Sequence, residues 1–422
     1  MMLCICCSAF AFVNAQSAKA QTVKIGIVIG SADPATTSLV RSAKMAMDEI
    51  NSAGGVLGKR LQLVPAFNPR RNYDTVPALT NSLIQQGVAA IISCGGSSST
   101  MKTAETAAPK GVLVITPSST SPKISTVKDN DLVWRTIPHD VFQGRIAARM
   151  LDSMKYRTAS VIHPANVYGS ELAKTFRETF QQRGGKVLNV VAYKEVLSKQ
   201  YDFATYLDKV FDGKPSAIYV VGSEETAKFL AQSVEAKKIN DSYKPFLFGC
   251  DGIYNDDFLS GVDATVIEGM TGLAYIHPQN DPAFDRFIAE FQKRAAFDDS
   301  TTVANSSLAS LMSMDATNSY AATMYDAIYT LALAMVKANS TMGRDVAKQM
   351  REVANAKRGA EIIRGTEFAR AVKLIGEKKP INYEGVSGAI EFDRNGDVSS
   401  GTYVVWRVEG GKFVQRGIVA FP

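Results

Sequence analysis

Histidine and cysteine are both scarce in these 422 residues, with 3 of the first and 5 of the second. The histidines, His139, His163 and His277, stand at no metal-ligand spacing, which argues against a histidine-built metal centre. Cys4, Cys6 and Cys7 fall near the N-terminus, so only Cys94 and Cys250 remain along the rest of the chain. Two such distant cysteines, each ending an apolar run, give no disulfide framework and are expected as buried free thiols. Basic blocks are missing as well. The formal charge is +6, but no run of five or six like charges occurs. "PRR" at 69–71 and "EKK" at 377–379 are short enough to be solvated surface, so nucleic-acid binding has no support. Nor does any apolar run past the N-terminus reach transmembrane length.

The N-terminus reads "MMLCICCSAFAFVNAQSAKAQTVKIG". Its apolar stretch of about a dozen residues is too short to span a bilayer. "AKA" at 18–20 has the small-x-small form of a cleavage site, so residues 1–20 read as a secretory signal peptide, although its basic n-region is missing.

"VKIGIVIG" (23–30) alternates Val23, Ile25, Ile27 and Ile29 as a core strand does. Leu39, Val40, Ala43, Ala46, Met47 and Ile50 then mark one face of a helix, which "NSAGG" stops. "LQLVPAF", "VAAIISC" and "VLVITPSS" continue as strands with helices between them. The pattern restarts at "ASVIHP" (159–164) and runs through "VLNVVAY", "AIYVVG" and "FLFGC". Two β-α-β-α runs predict an α/β fold of two doubly wound domains with mostly parallel sheets. In such sheets ligands bind beyond the carboxyl ends of the strands. The residues just after Cys94, Ile115, Pro164, Val221 and Cys250 should therefore share one crevice. Residues 297–318, rich in Ser, Thr and Asn, read as a surface loop or irregular excursion. The C-terminal phrases "GAIEFDRNGD", "TYVVWRV" and "KFVQRGIV" read as strands.

Two hydroxyl-rich edges follow adjacent strands: "GGSSST" (95–100) and "TPSSTSP" (116–122). A helix opening on the first would offer free N–H groups, hydroxyls and a positive dipole end, together suited to an anion. Enzymatic signatures are weaker. "GGVLGKR" (54–60) has glycine spacing one short of a phosphate loop, and Arg60 stands where Ser or Thr is needed. Ser99 and Lys102 make an S-x-x-K match without its companion motifs, leaving a serine hydrolase as a remote alternative. "DRNGDVSSG" (393–401) departs from a calcium loop in its glycine and its last ligand, and is better explained as a turn around "NG".

The phrases "VKIGIVIGSAD", "AKMAMDEINSAGGVLGKRLQLV", "ITPSSTSP", "WRTIP", "VYGSELAKTF", "YDAIYTLALA" and "GVSGAIEFDRNGD" come in an order that resembles the periplasmic leucine/isoleucine/valine-binding proteins. These are type I solute-binding proteins of ABC importers. The resemblance implies two lobes joined by a three-crossing hinge: 22–136 with 273–400, and 137–272 with 401–422. It implies a periplasmic monomer without catalysis, cofactor or metal, which passes a small carboxylated ligand to a membrane permease. By matching phrases, Ser97, Ser118 and Thr120 would hold the ligand's α-carboxylate. Tyr168 would reach it from lobe two, Asp251 would meet its ammonium, and Tyr320 would face the cleft. Alternatively, Asp251 caps the helix that follows. Phe67 and Gly96 stand near where relatives often carry a lobe-one disulfide, so that bridge is not expected. The pocket departs from the family at "SADPATTSLV", and Ser223 or Glu224 replaces another tyrosine. An amino acid is therefore the first expectation, with an amide or an aromatic acid as alternatives, and a sensor of the same fold as an alternative to transport.

Overall fold

The computed structural model describes residues 22–30, 34–68, 72–195, 201–277, 280–302 and 319–421. The signal-peptide reading of 1–20 and "PRR" at 69–71 lie outside them.

Five parallel strands form the first sheet: β1 (Thr22–Ile29), β2 (Arg60–Phe67), β3 (Ala90–Ser93), β4 (Leu113–Thr116) and β5 (Val133–Arg135), in the order β2-β1-β3-β4-β5. Its two faces are filled by different residues of the same strands. Val23, Ile25, Ile27 and Ile29 pack on one side with Leu39, Ala43, Ala46, Met47 and Ile50 of helix α1 (Pro34–Ser52). Val28 points the other way, toward Leu83 of α2 (Val76–Gln85) and Ala104 of α3 (Gly96–Ala107). The period-2 alternation of a strand thus feeds two separate cores, as a sheet covered on both faces requires. The helix Ser319–Ala338 runs through the first of these cores, buried almost end to end.

The second sheet has seven strands in the order β15-β14-β10-β9-β8-β6-β7. They are β6 (Thr158–Pro164), β7 (Lys186–Tyr193), β8 (Ala217–Val220), β9 (Phe246–Gly249), β10 (Thr271–Ile276), β14 (Gly401–Glu409) and β15 (Lys412–Phe421). β6 to β10 pair in parallel, and β14 and β15 add an antiparallel edge. Its core gathers buried residues from Phe142 to Ile276 and from Tyr403 to Val408. The core of the first sheet draws on Val23 to Trp134 and Ala283 to Val398. The molecule is therefore two bodies, each with its own hydrophobic interior.

Three expectations change. All six residues of β10 lie in the larger sheet, so the chain leaves it after Ile276 rather than near Gly272. The helix Pro282–Thr302 runs on through 297–302, where a loop was expected; 303–318 lie outside the described residues. "GAIEFDRNGD" forms only the short strand β13 (Gly388–Ala389), which closes a three-stranded sheet with β11 (Glu361–Ile363) and β12 (Ile381–Gly385). Beyond it, Asp393 Oδ1 accepts the N–H groups of Asn395 and Asp397 at 2.7 and 3.0 Å. That side chain satisfies backbone groups that a strand would need for its ladder, so the segment turns instead. Cys94 and Cys250 are free thiols. Among the described residues no helix is long and apolar enough to cross a membrane.

Candidate functional site

A cavity of about 250 Å³ lies between the two bodies, at the carboxyl ends of both parallel sheets. Ser97, Ser118, Thr120, Tyr168, Asp251 and Tyr320 all line it. So do the residues that follow five strands: Gly95 and Gly96 after β3, Ser118 after β4, Asn166 after β6, Gly222 after β8 and Asp251 after β9.

The "GGSSST" stretch opens a helix as expected: Gly95 is the N-cap of α3 and Gly96 begins its first turn. Gly95 contributes no side-chain cap, so the serines do not serve as caps for this helix. The N-terminal N–H groups of an uncapped helix need another partner, and here the cavity adjoins them. Glycine is required at both positions. Gly96 has φ +81°, and a Cβ on Gly95 would fall 2.6 Å from Ser99 Oγ.

The hydroxyls divide into two sets. Thr100 Oγ1 bonds Ser93 Oγ at 2.9 Å and Ser119 Oγ at 2.8 Å, tying the ends of β3 and β4 together. Ser97 Oγ accepts from the Ser121 N–H at 3.2 Å, which leaves its own proton to give. Ser118 Oγ is buried and has no partner among the described residues, although it lines the cavity. An orphaned buried hydroxyl costs about 1–3 kcal/mol, so it is poised for something that enters. Thr120 differs from the expectation of a third carboxylate donor. Its hydroxyl donates to Asp140 Oδ2 at 2.8 Å, so that proton is already engaged.

Across the cavity, Asp251 caps nothing. The short helix Asp256–Ser260 is capped by Asn255 instead. The Asp251 carboxylate accepts from Tyr168 Oη at 2.6 Å and Gln143 Nε2 at 2.9 Å on Oδ1, and from Tyr320 Oη at 3.0 Å on Oδ2. A carboxylate has about four lone-pair positions. Three are filled, and the fourth, on Oδ2, has no donor among the described residues. Burial, followed by the charge of Asp251, raises both tyrosine pKa values, so both rings stay neutral donors. Burial and then Asp251 also push Asp140 well above the usual carboxylate range. Burial holds the Cys250 thiol up at about 12, which keeps it unreactive.

Contacts also bridge the bodies. Ser98 Oγ accepts from the Val167 N–H at 3.1 Å, at the start of the helix Val167–Gln182. Tyr73 Oη donates to Glu195 at 3.0 and 3.2 Å, and within the second body Asn166 Nδ2 donates to the same carboxylate at 3.1 Å.

Sequence reasoning missed Tyr73, Glu195 and Glu225, all of which line the cavity. No spacing announces Tyr73 or Glu195, which are brought in by separate loops. Glu225 could have been found: the loop after β8 was singled out, but Ser223 and Glu225 face the cavity while Glu224 is exposed. His163, at the end of β6, bonds the Pro164 carbonyl through Nδ1 at 2.9 Å, and burial lowers its pKa. For the Ser99–Lys102 alternative the geometry is unfavourable. The Ser99 hydroxyl is buried without a partner and outside the cavity lining, and Lys102 is exposed.

Comparison with known proteins agrees with this architecture. The family described as "receptor family ligand binding region" matches residues 39–411. The leucine-, isoleucine-, valine-, threonine- and alanine-binding protein of Pseudomonas aeruginosa is 26% identical over 289 residues, covering 66% of this chain and 73% of that one. A leucine-binding protein of Thermotoga maritima superposes with a TM-score of 0.71 at 20% identity, over 94% of this chain and 98% of that one. An ABC-transporter solute-binding protein of R. palustris, in complex with 4-hydroxybenzoate, superposes with a TM-score of 0.70 at 15% identity, over 95% and 97% of the two chains. The chain belongs to the receptor-family ligand-binding-region family and has the type I periplasmic binding protein fold.

Proposed function

We propose that this protein captures a small zwitterion, an amino acid, between two lobes, and hands it to the permease of an ABC importer outside the cytoplasm. The lobes are 22–136 with 277–400, and 137–276 with 401–421, closing on the ligand like a hinge. One observation carries the reading. The uncapped N-terminus of α3 with the orphaned Ser118 hydroxyl, and the Asp251 carboxylate with one open position, face one cavity. An anion site and a cation site across such a cavity suit the two charges of an amino acid. The named ligands of similar proteins, leucine among them, support the class, whereas 4-hydroxybenzoate in another makes an amine-free acid the second reading. Ser97, Ser118 and the α3 N–H groups hold the carboxylate; Thr120 positions Asp140 and the loop. Tyr168, Asp251 and Tyr320 form the ammonium side.

Calorimetric titration with the twenty common amino acids and with benzoates tests this. At least one amino acid is expected to bind with micromolar affinity. The Ser97→Ala, Ser118→Ala double variant should lose several kcal/mol of that, since a hydrogen bond to a charged group contributes about 1.5–3 kcal/mol. Tight binding of benzoates alone would sink the zwitterion assignment.

A further inference from the structure

On the side of the cavity formed by the loop after β8, the Glu225 carboxylate has one committed and one open oxygen. Oε1 accepts from Tyr193 Oη at 2.5 Å and from the Ser223 N–H at 3.1 Å. Oε2 accepts nothing from the described residues, and Glu225 lines the cavity. Gly222 makes room for this arrangement: a Cβ there would lie 2.5 Å from Tyr193 Oη and 3.0 Å from Glu225 Oε1. Burial raises the Glu225 pKa above the ordinary carboxylate value, and Glu224 adds like charge. No lysine, arginine or histidine is among the described residues that line the cavity. Leu39 is the one branched aliphatic side chain there, a poor lining for an isobutyl group.

A zwitterion alone would satisfy Asp251 and leave Glu225 with no counter-charge among the described residues that line the cavity. We propose that the ligand carries a second cationic group on its side chain, bound by Glu225 Oε2, so that the protein takes a dibasic amino acid. The α-carboxylate and α-ammonium then occupy the α3 and Asp251 sites, and the side chain extends toward the β8 loop. This selectivity rests on the amino-acid reading above.

The test is calorimetric titration of the whole protein with L-lysine, L-leucine, cadaverine and 4-hydroxybenzoate, for wild type, Glu225→Gln and Asp251→Asn. Lysine is expected to bind wild type at least tenfold more tightly than leucine, and E225Q should cut that preference at least tenfold. Leucine binding as well as or better than lysine overturns the proposal and leaves the amino-acid reading standing. A lysine preference that E225Q leaves unchanged overturns it equally. Cadaverine binding that depends on Glu225, with no amino acid bound, upholds the second cationic site and sinks the amino-acid reading. Binding of 4-hydroxybenzoate alone sinks both. The wild-type panel decides the point even if a variant does not fold.

Discussion

Tyr320 Oη donates to Asp251 Oδ2 at 3.0 Å, and this bond joins the buried helix of the first body to the end of β9 in the second. A latch across a cleft should shift the balance between open and closed forms. Tyr320→Phe removes a hydrogen bond to a charged group, a contribution of about 1.5–3 kcal/mol. The ligand-free variant should therefore show a larger radius of gyration by small-angle scattering than ligand-free wild type, and saturating ligand should restore compactness. Indistinguishable ligand-free profiles would show that the bond does not hold the bodies together.

Asp251 is the acceptor for three donors and the cation site of the proposed cleft. Removing one partner of a buried charge pair costs about 3–5 kcal/mol, because the other charge stays uncompensated. Asp251→Asn should thus abolish micromolar binding of any amino acid. Asparagine keeps one carbonyl for Tyr168 and Gln143, so the unfolding temperature without ligand should move little. An Asp251→Asn protein that binds its amino acid as wild type does would contradict the assignment.

The sequence made the outline of the site legible because a parallel sheet places its strand ends together. Once Cys94, Pro164 and Cys250 were recognised as strand ends, the crevice followed. Pairings between distant segments were not legible. Nothing local links Tyr73 to Glu195, 122 residues apart, or Tyr320 to Asp251, 69 apart. Thr120 shows a different limit. Its position was right, but its proton goes to Asp140, and only coordinates reveal which way a hydroxyl is committed. In the β8 loop Ser223 lines the cavity, but of the two neighbouring glutamates it is Glu225 rather than Glu224 that does so, and only their exposure separates two chemically identical residues.

Away from the cleft, Arg135 and Asp397 form a buried pair that holds the turn after Asp393 against β5. Arg135 Nε and Nη2 donate to Asp397 Oδ1 at 2.9 and 2.6 Å, and Nη1 reaches the Ser119 and Ser121 carbonyls at 3.2 and 2.8 Å. The guanidinium is wholly buried, so it depends on these acceptors. Asp397→Asn should cost about 3–5 kcal/mol of stability, read as a fall in the urea midpoint with an unchanged slope. Arg135→Met with Asp397→Leu should recover part of that loss, because removing both charges leaves neither buried alone. A midpoint that Asp397→Asn leaves in place would mean that the surrounding carbonyls suffice for the arginine.

Asp326 gives the fold a pH dependence of defined sign. Its carboxylate is fully buried and accepts from Tyr383 Oη at 2.7 Å, from the N–H groups of Val386 and Ser387 at 2.9 and 2.8 Å, and from Ser387 Oγ. Those bonds favour the anion, but burial outweighs them and pushes the pKa up from 3.8 to about 6. A raised folded-state value means that the native protein holds the proton more tightly than the unfolded chain does. The stability contributed by that proton is fully present below about pH 4 and is lost as pH rises through about 6. A shift of about two units corresponds to about 3 kcal/mol. Substituting Asp326→Asn removes the titration, whatever it does to absolute stability through the altered hydrogen bonds. In urea unfolding at pH 4 and pH 6.5, the stability of wild type relative to Asp326→Asn should therefore fall by about 2 kcal/mol at the higher pH, because the proton's contribution is not yet complete at pH 4. A difference that is constant, or that grows with pH, would show that the four donors keep Asp326 ionised in the core.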